Sequence, residues 1–586
     1  MICMHKTVAA LVILSLLLSV FIMMGSFDVV NAQSSNVVRI KADGTVTGTD
    51  MIQRNGAVYT LTGDLSASIG YNEAFIFVER NNVIFNGAGY TIQGSGLGSA
   101  FCLLRGQNVT VENFVIRGFS RGIDFWAVDN LPSDSDYLSK PSAFDNKILG
   151  NKIDVEHDVN SNKTRDQGWC IYLNDAFQTV LSGNTFTGKN IQGGVYLGVL
   201  SKNTNLTNNN FLGCRLYSLV SDKTVAYGNT VDGKPLIYLD SKSNQIIEEA
   251  GLVYLFNCSN IVIKNVAPLY DYAVAIQLID AIKSEITNSC GHVFLLNSSQ
   301  NSIHDNQLLS LTLEDSSYNQ VFANLITGSS TCVTLYGNSN FNKIRGNALL
   351  DTIYSANAEN VHAAGSETVA IQIGDIQHGG AFNNEVYNNT IINHDCAVKL
   401  LLSSNNTIAN NLLKDCRTGI LLGGSHTNIF TENNVNTCQY AVAMHAGSSN
   451  NTFFCNNFIN NTVQCIELHY PTLFPYGELY STGNAWDNGK MGNYWSTYTG
   501  IDTTGDGIGD TPYTVFEYMI DNYPLIEPFK TSNFPPQYSQ TPRPTLDNNT
   551  PLLNREKLLI IIIAGIILGV ISGLIIYFRH LIFRKV

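Results

Sequence analysis

Charge is scarce in this chain. Only 14% of its 586 residues are Asp, Glu, Lys or Arg, and 47 acids against 34 bases leave a formal net charge of −13. A basic groove is not expected, and neither is a nucleic-acid partner. Metal-binding motifs are missing too. The chain has no C-x-x-C pair, no H-x-x-x-H pair and no Met-rich or clustered His segment, so copper is not expected. Its histidines are scattered, and surface or turn roles are their default, although stacking could bring His394 and Cys396 beside adjacent coils. Once Cys3 leaves with a leader peptide, eleven cysteines remain. An odd number argues against a complete disulfide framework.

What the chain does have is repetition. NNTIANNLL, HTNIFTENNV and NNTFFCNNF follow one another, and Asn411, Asn434 and Asn457 lie 23 residues apart. The signal continues backwards through Asn389, Asn347, Asn324, Asn306, Asn288, Asn265, Asn209, Asn184, Asn151, Asn113 and Asn86. A period of this length, built on short apolar-alternating runs and Asn bends, indicates a solenoid of the parallel β-helix type. Strands place Val, Ile, Phe and Leu inward at every second position, and bends take Asn and Gly. Stacked Asn side chains can bond from rung to rung. The usual crossover preference of parallel strands makes the coil right-handed. From Asn82 to Tyr470 roughly 17 coils are expected, in a rod roughly 80 Å long at ~4.8 Å per rung. Cys396, Cys416 and Cys438 share a phase in the repeat and are expected to face inward as small hydrophobes.

The ends indicate location. Residues 1–32 have the charge pattern and apolar core of a secretory signal, with cleavage expected before Gln33. A β cap is expected over 33–81, repeats over 82–470 and a C-terminal cap over 471–530. Residues 531–557, with Pro535, Pro536, Pro542 and Pro544, suit an extended stalk. Leu558 to Phe578 carries no charge, and as a helix it would span ~31 Å, enough to cross a bilayer. Arg579, Arg584 and Lys585 follow, so the tail 579–586 is expected on the cytoplasmic side. The expected fold class is thus all-β, a right-handed single-stranded parallel β-helix of the pectin-lyase-like kind with one C-terminal transmembrane helix. The expected location is the cell membrane, with the large N-terminal part outside.

Candidate sites are few. Asp502, Thr504, Asp506, Ile508 and Asp510 occupy positions 1, 3, 5, 7 and 9 of an EF-hand-like loop with Gly507 at the sharp turn, a spacing that suits Ca²⁺. Thr504 replaces an acid, and Tyr513 stands where a Glu would, so binding should be weak. The plain alternative is an Asp/Gly turn cluster without an ion. The acid-rich insert 124–175 offers Asp124, Asp154, Glu156 and Asp175 for a pair of hydrolytic carboxylates. Trp126, Trp169 and Tyr172 could stack on sugar rings, with core packing as the ordinary alternative for each.

The Asn-rich coils, together with N-A-W-D-N-G, G-N-Y-W-S-x-Y, D-x-x-G-D-G-I-G-D-T-P-Y and D-N-Y-P-L from Asn484 to Leu525, resemble the NosD-like β-helix proteins, the periplasmic copper-binding NosD family and its archaeal surface relatives. The resemblance implies the fold, and a likeness to carbohydrate-binding and sugar-hydrolysis β-helix domains. Some members are associated with copper supply, which this chain's residues do not support. Three functions remain open at this level. The first is a non-catalytic surface rod that binds glycans or serves the envelope, the second a polysaccharide hydrolase or lyase, and the third copper handling.

Overall fold

The computed structural model describes residues 37–531 except 72, 104, 126–142, 157–167, 190–192, 199–200, 219–223, 269–273, 329–330, 352–366, 446 and 469–480. The expected leader, the segment 558–578 and the tail lie outside the described residues, as do Trp126 and all of the stalk beyond 531. Among the described residues every regular element is a strand. No described helix is long and apolar enough to cross a membrane.

Short strands build three parallel sheets, here called faces A, B and C in the order the chain meets them. Val83–Asn86 is typical. Val83 and Phe85 are buried while Ile84 is exposed, and the strand pairs in parallel with Val109–Glu112 of the next rung. Alternation of this kind puts one side of each strand on a shared apolar axis. In the first stack face A runs from Val38–Ile40 to Leu216–Ser218, face B from Val58–Leu61 to Val225–Tyr227, and face C from Leu65–Ser66 to Thr230–Val231.

The corners explain the Asn-Asn pairs. Asn208, Asn388 and Asn410 adopt left-handed backbone, with φ of 55°, 58° and 51°, a conformation that Asn tolerates better than most residues. The next residue, Asn209, Asn389 or Asn411, is buried and bridges rungs through its amide. In the first stack this ladder runs through Asn151, Asn184, Asn209 and Asn229. In the second it runs Asn306, Asn324, Asn347, Asn389, Asn411, Asn433, Asn456 and Asn493. The 23-residue spacing that singled out Asn434 and Asn457 therefore joined two columns. At those rungs Glu432 and Cys455 take the left-handed corner, so the first Asn of each pair enters the ladder.

The cysteine column needs a similar correction. Cys416 and Cys438 belong to the second core, but Cys396 packs in a separate cluster with Val369, Leu401, Leu421 and Ala443. Ile392, Lys414 and Asn436 are register partners, so the residue in line with Cys416 and Cys438 is His394. Burial pushes its imidazole down to about 4 and keeps it neutral.

The structure holds two stacks where the sequence suggested one. Val231 partners Lys234 in an antiparallel pair, and Asp232 and Gly233 between them both have positive φ, 49° and 82°. An Asp-Gly loop of this form is a type I′ hairpin turn, which reverses the chain. Faces A and B of the first stack end there, and a new face B starts at Ser243–Ile247 and continues for ten strands to Thr452–Phe454. The new face A starts at Lys234–Asp240. With the six first-stack face B strands from Val83–Asn86 onward, sixteen rungs are described in the span where roughly 17 were expected. Two apolar cores result, and Leu252–Phe256 lies between them. Val253 and Leu255 belong to the second core, whereas Leu252, Tyr254 and Phe256 belong to the first.

The last rung is closed by aromatic rings. Trp486 stacks on Phe453 at 4.5 Å, and Trp495 stacks on Phe458 at 4.3 Å. The Asn ladder ends on Asp521, whose carboxylate accepts the backbone N–H of Asn493 at 2.7 Å and the Trp495 indole N–H at 2.8 Å.

Candidate functional site

The outer side of face A in the first stack is built rung by rung. Arg121 and Asp124 lie on one strand, and their register partners on the next are Trp169 and Tyr172. One rung further the partners are Gly193 and Tyr196, and Tyr217 follows. Parallel in-register pairing thus stacks three tyrosines in a row. The Tyr172 and Tyr196 ring centroids are 4.5 Å apart and the planes differ by 6°. Tyr196 and Tyr217 are 5.4 Å apart and differ by 8°. Trp169 closes one flank, edge-on to Tyr196 at 5.2 Å. It fits because its partner is Gly193, where a Cβ would lie 2.0 Å from the indole.

The electrostatics favour neutral phenols. The Tyr172 hydroxyl is pushed up to about 12, chiefly by burial and then by Tyr196, and burial also raises Tyr217. The ring faces are turned to one another, so the row presents ring edges and hydroxyls. Arg121 lies 5.2 Å over Tyr172 and Arg215 lies 5.5 Å over Tyr217. The result is a rail of neutral hydroxyls on an apolar bed with a guanidinium over the ring at each end, a surface suited to polyhydroxylated ligands.

Trp169 and Tyr172 are therefore brought together, with ring centroids 6.4 Å apart. The candidate acids are not gathered. Asp124 is fully buried, forms a 2.7 Å ion pair with Arg121 and accepts the Ser99 hydroxyl. Asp154 and Glu156 belong to a face C strand, and Asp175 sits in the corner after face A with φ 59°. Tyr196 and Tyr217 escaped the sequence reading. Their signal was the shared place of Tyr in CIYL, GGVYL and RLYSL, which only the strand register turns into a row.

In the terminal loop Asp502 accepts the N–H groups of Gly505 at 2.6 Å and Gly507 at 2.8 Å, and the bond from Gly507 is the leading cause that lowers its carboxyl. Asp506 accepts the Ile508 N–H, and Asp510 accepts the Thr503 N–H. Thr504 donates its hydroxyl to Asp502. The carboxylates are engaged by their own loop. Among the described residues no three His, Cys, Asp or Glu side chains gather closely enough to hold a metal ion.

Two solved structures with likeness to the chain are the tailspike protein of E. coli bacteriophage HK620 in complex with pentasaccharide and the periplasmic alginate epimerase AlgG. The tailspike is 13% identical, with 74% of this chain and 72% of the tailspike covered at a TM-score of 0.27. The epimerase is 10% identical, with 75% and 80% covered at a TM-score of 0.20. Those scores are too low to bear on site or activity. No curated protein matches the chain. Residues 353–500 match the family model of the periplasmic copper-binding protein NosD, and that segment holds the second-stack ladder from Asn389 to Asn493 and is similar to the NosD family over this part of the β-helix.

Proposed function

We propose that this protein is a surface-displayed β-helix that binds glycans without cleaving them, along the outer side of face A. The observation that carries the reading is the row Tyr172, Tyr196 and Tyr217 with Trp169 on its flank. Stacking along the rungs also steadies the sheet, and hydroxyls held at a regular rung spacing suit an extended chain of sugars. The signal-like sequence of residues 1–32 and the apolar segment 558–578 support display at the cell membrane.

The test is a glycan array with the full-length chain, followed by Tyr196→Ala, which removes the middle ring. Binding to at least one polysaccharide class is expected, and the variant should weaken it about tenfold, the loss of one central aromatic contact. Unchanged binding by the variant, or no binding by either protein, ends the proposal. Calcium at 502–510 is part of the same reading, as a closure of the terminal cap. It would have to draw Asp502 away from the loop N–H groups, and addition of Ca²⁺ should then raise the unfolding temperature of the full-length chain. An unmoved transition would remove the ion from the account.

A further inference from the structure

The joint between the two stacks lies at the end of the tyrosine row. The last face A strand of the first stack, Leu216–Ser218, rests against the outer side of face A in the second. The Gln277 amide donates to the Ser218 carbonyl at 2.6 Å, and the Tyr254 hydroxyl donates to the Leu216 carbonyl. Gln277 and Ile279 are buried there. On the following rungs their register partners are Phe294 and Leu296, then Thr312 and Glu314, then Thr334 and Tyr336. These six are only partly buried, as expected of a wall that emerges from beneath the first stack. The Tyr336 hydroxyl donates to Glu314 at 3.0 Å. Tyr238, Tyr254 and Phe256 of the preceding rungs pack in the first core and Gln277 reaches the face A strand itself, so the wall continues beyond face A, on the side to which the tyrosine row points.

We infer that the two outer faces form one re-entrant corner, and that a glycan lying on the tyrosine row continues onto Glu314 and Tyr336. This rests on the glycan-binding reading of face A and adds a ligand class to it. Arg215 over Tyr217 and Glu314 beyond it give the corner charges of both signs that bond sugar hydroxyls, and Glu314, at the far end, repels sugar carboxylates. The ligand is therefore a linear neutral oligosaccharide, long enough to span row and corner, and not a polyuronate.

The experiment uses cello-, manno- and chito-oligosaccharides from disaccharide to octasaccharide, with oligouronates as the acidic arm, against the full-length chain. Affinity for the neutral series should rise with length and then level off. Glu314→Gln keeps the shape and the Tyr336 contact. It should remove most of the gain from length, about tenfold for the longest oligomers, leave the shortest unchanged and narrow the preference over uronates. Tyr336→Phe should act on the same long oligomers. Tyr196→Ala should lower affinity at every length. If the wild type binds but Glu314→Gln and Tyr336→Phe match it at every length, the corner is wrong and the tyrosine row stands. A wild type that prefers uronates also overturns the corner. No binding to any sugar defeats both readings. Equal unfolding temperatures for the variants exclude misfolding as the cause of a loss.

Discussion

Asn411→Ala should destabilise the protein by about 3–5 kcal/mol, although it removes only a few atoms and no apolar contact area. Asn411 is fully buried. Its carbonyl oxygen accepts the backbone N–H and the side-chain amide of Asn389, each at 3.0 Å. Its amide donates to the carbonyl of Val386 at 2.9 Å, to that of Ala409 and to the Asn433 side chain. Alanine leaves the buried Asn389 N–H without its acceptor, at a cost of about 1–3 kcal/mol, and also removes the bonds to Val386, Ala409 and Asn433. Thr431→Ala, on the outer side of the same region, should fall within about 0.5 kcal/mol of wild type. Urea unfolding followed by circular dichroism separates the two. Equal midpoints would mean that the amide ladder contributes little beyond what water would supply.

Trp495→Ala should cost about 3–5 kcal/mol, as expected for an aromatic-to-alanine change in a packed core. The indole is buried between Phe458 and Tyr513, and its N–H is one of the donors to Asp521. Asp521 itself gives the cap a pH dependence. Burial pushes its carboxyl up to about 6, against the lowering effect of the Asn493, Trp495 and Tyr523 donors. The native state therefore takes up a proton that the unfolded chain, with an ordinary carboxylate near 4, has already released. This contribution is present in full below about pH 4 and is lost as pH rises through 6, on the order of 3 kcal/mol across the window. Asp521→Asn keeps one oxygen acceptor and removes the titration. The stability difference between wild type and this variant should change between pH 4 and 6 and be flat above about 7. A difference constant with pH would show that Asp521 keeps an ordinary carboxyl group.

Much of the architecture was legible because it is periodic. The Asn-Asn pairs, the apolar alternation and the number of rungs follow from local chemistry that repeats, and repeats can be counted. Phase was harder to read. A left-handed corner accepts Asn, Asp, Glu432 or Cys455, so the corner residue is not marked by type, and the ladder Asn slides by one place relative to a fixed spacing. The hairpin at Asp232-Gly233 was also visible as an Asp-Gly pair between apolar runs, but a search for one continuous period passes over a single reversal. Of the site, Trp169 and Tyr172 were found by residue type alone. Tyr196 and Tyr217 required the register, since nothing in a linear sequence shows which residue of one rung lies above which residue of the next. Asp124 looked like a free acid until Arg121, three residues away, was seen to turn back onto it.

The Asp232-Gly233 reversal also affects how such a protein can change over time. A solenoid coil touches only its neighbours, so a duplicated or deleted coil is felt where it enters the stack. Here the amide column stops at Asn229 and a new one begins at Asn306. Either half can gain or lose a coil without shifting the alignment of the other.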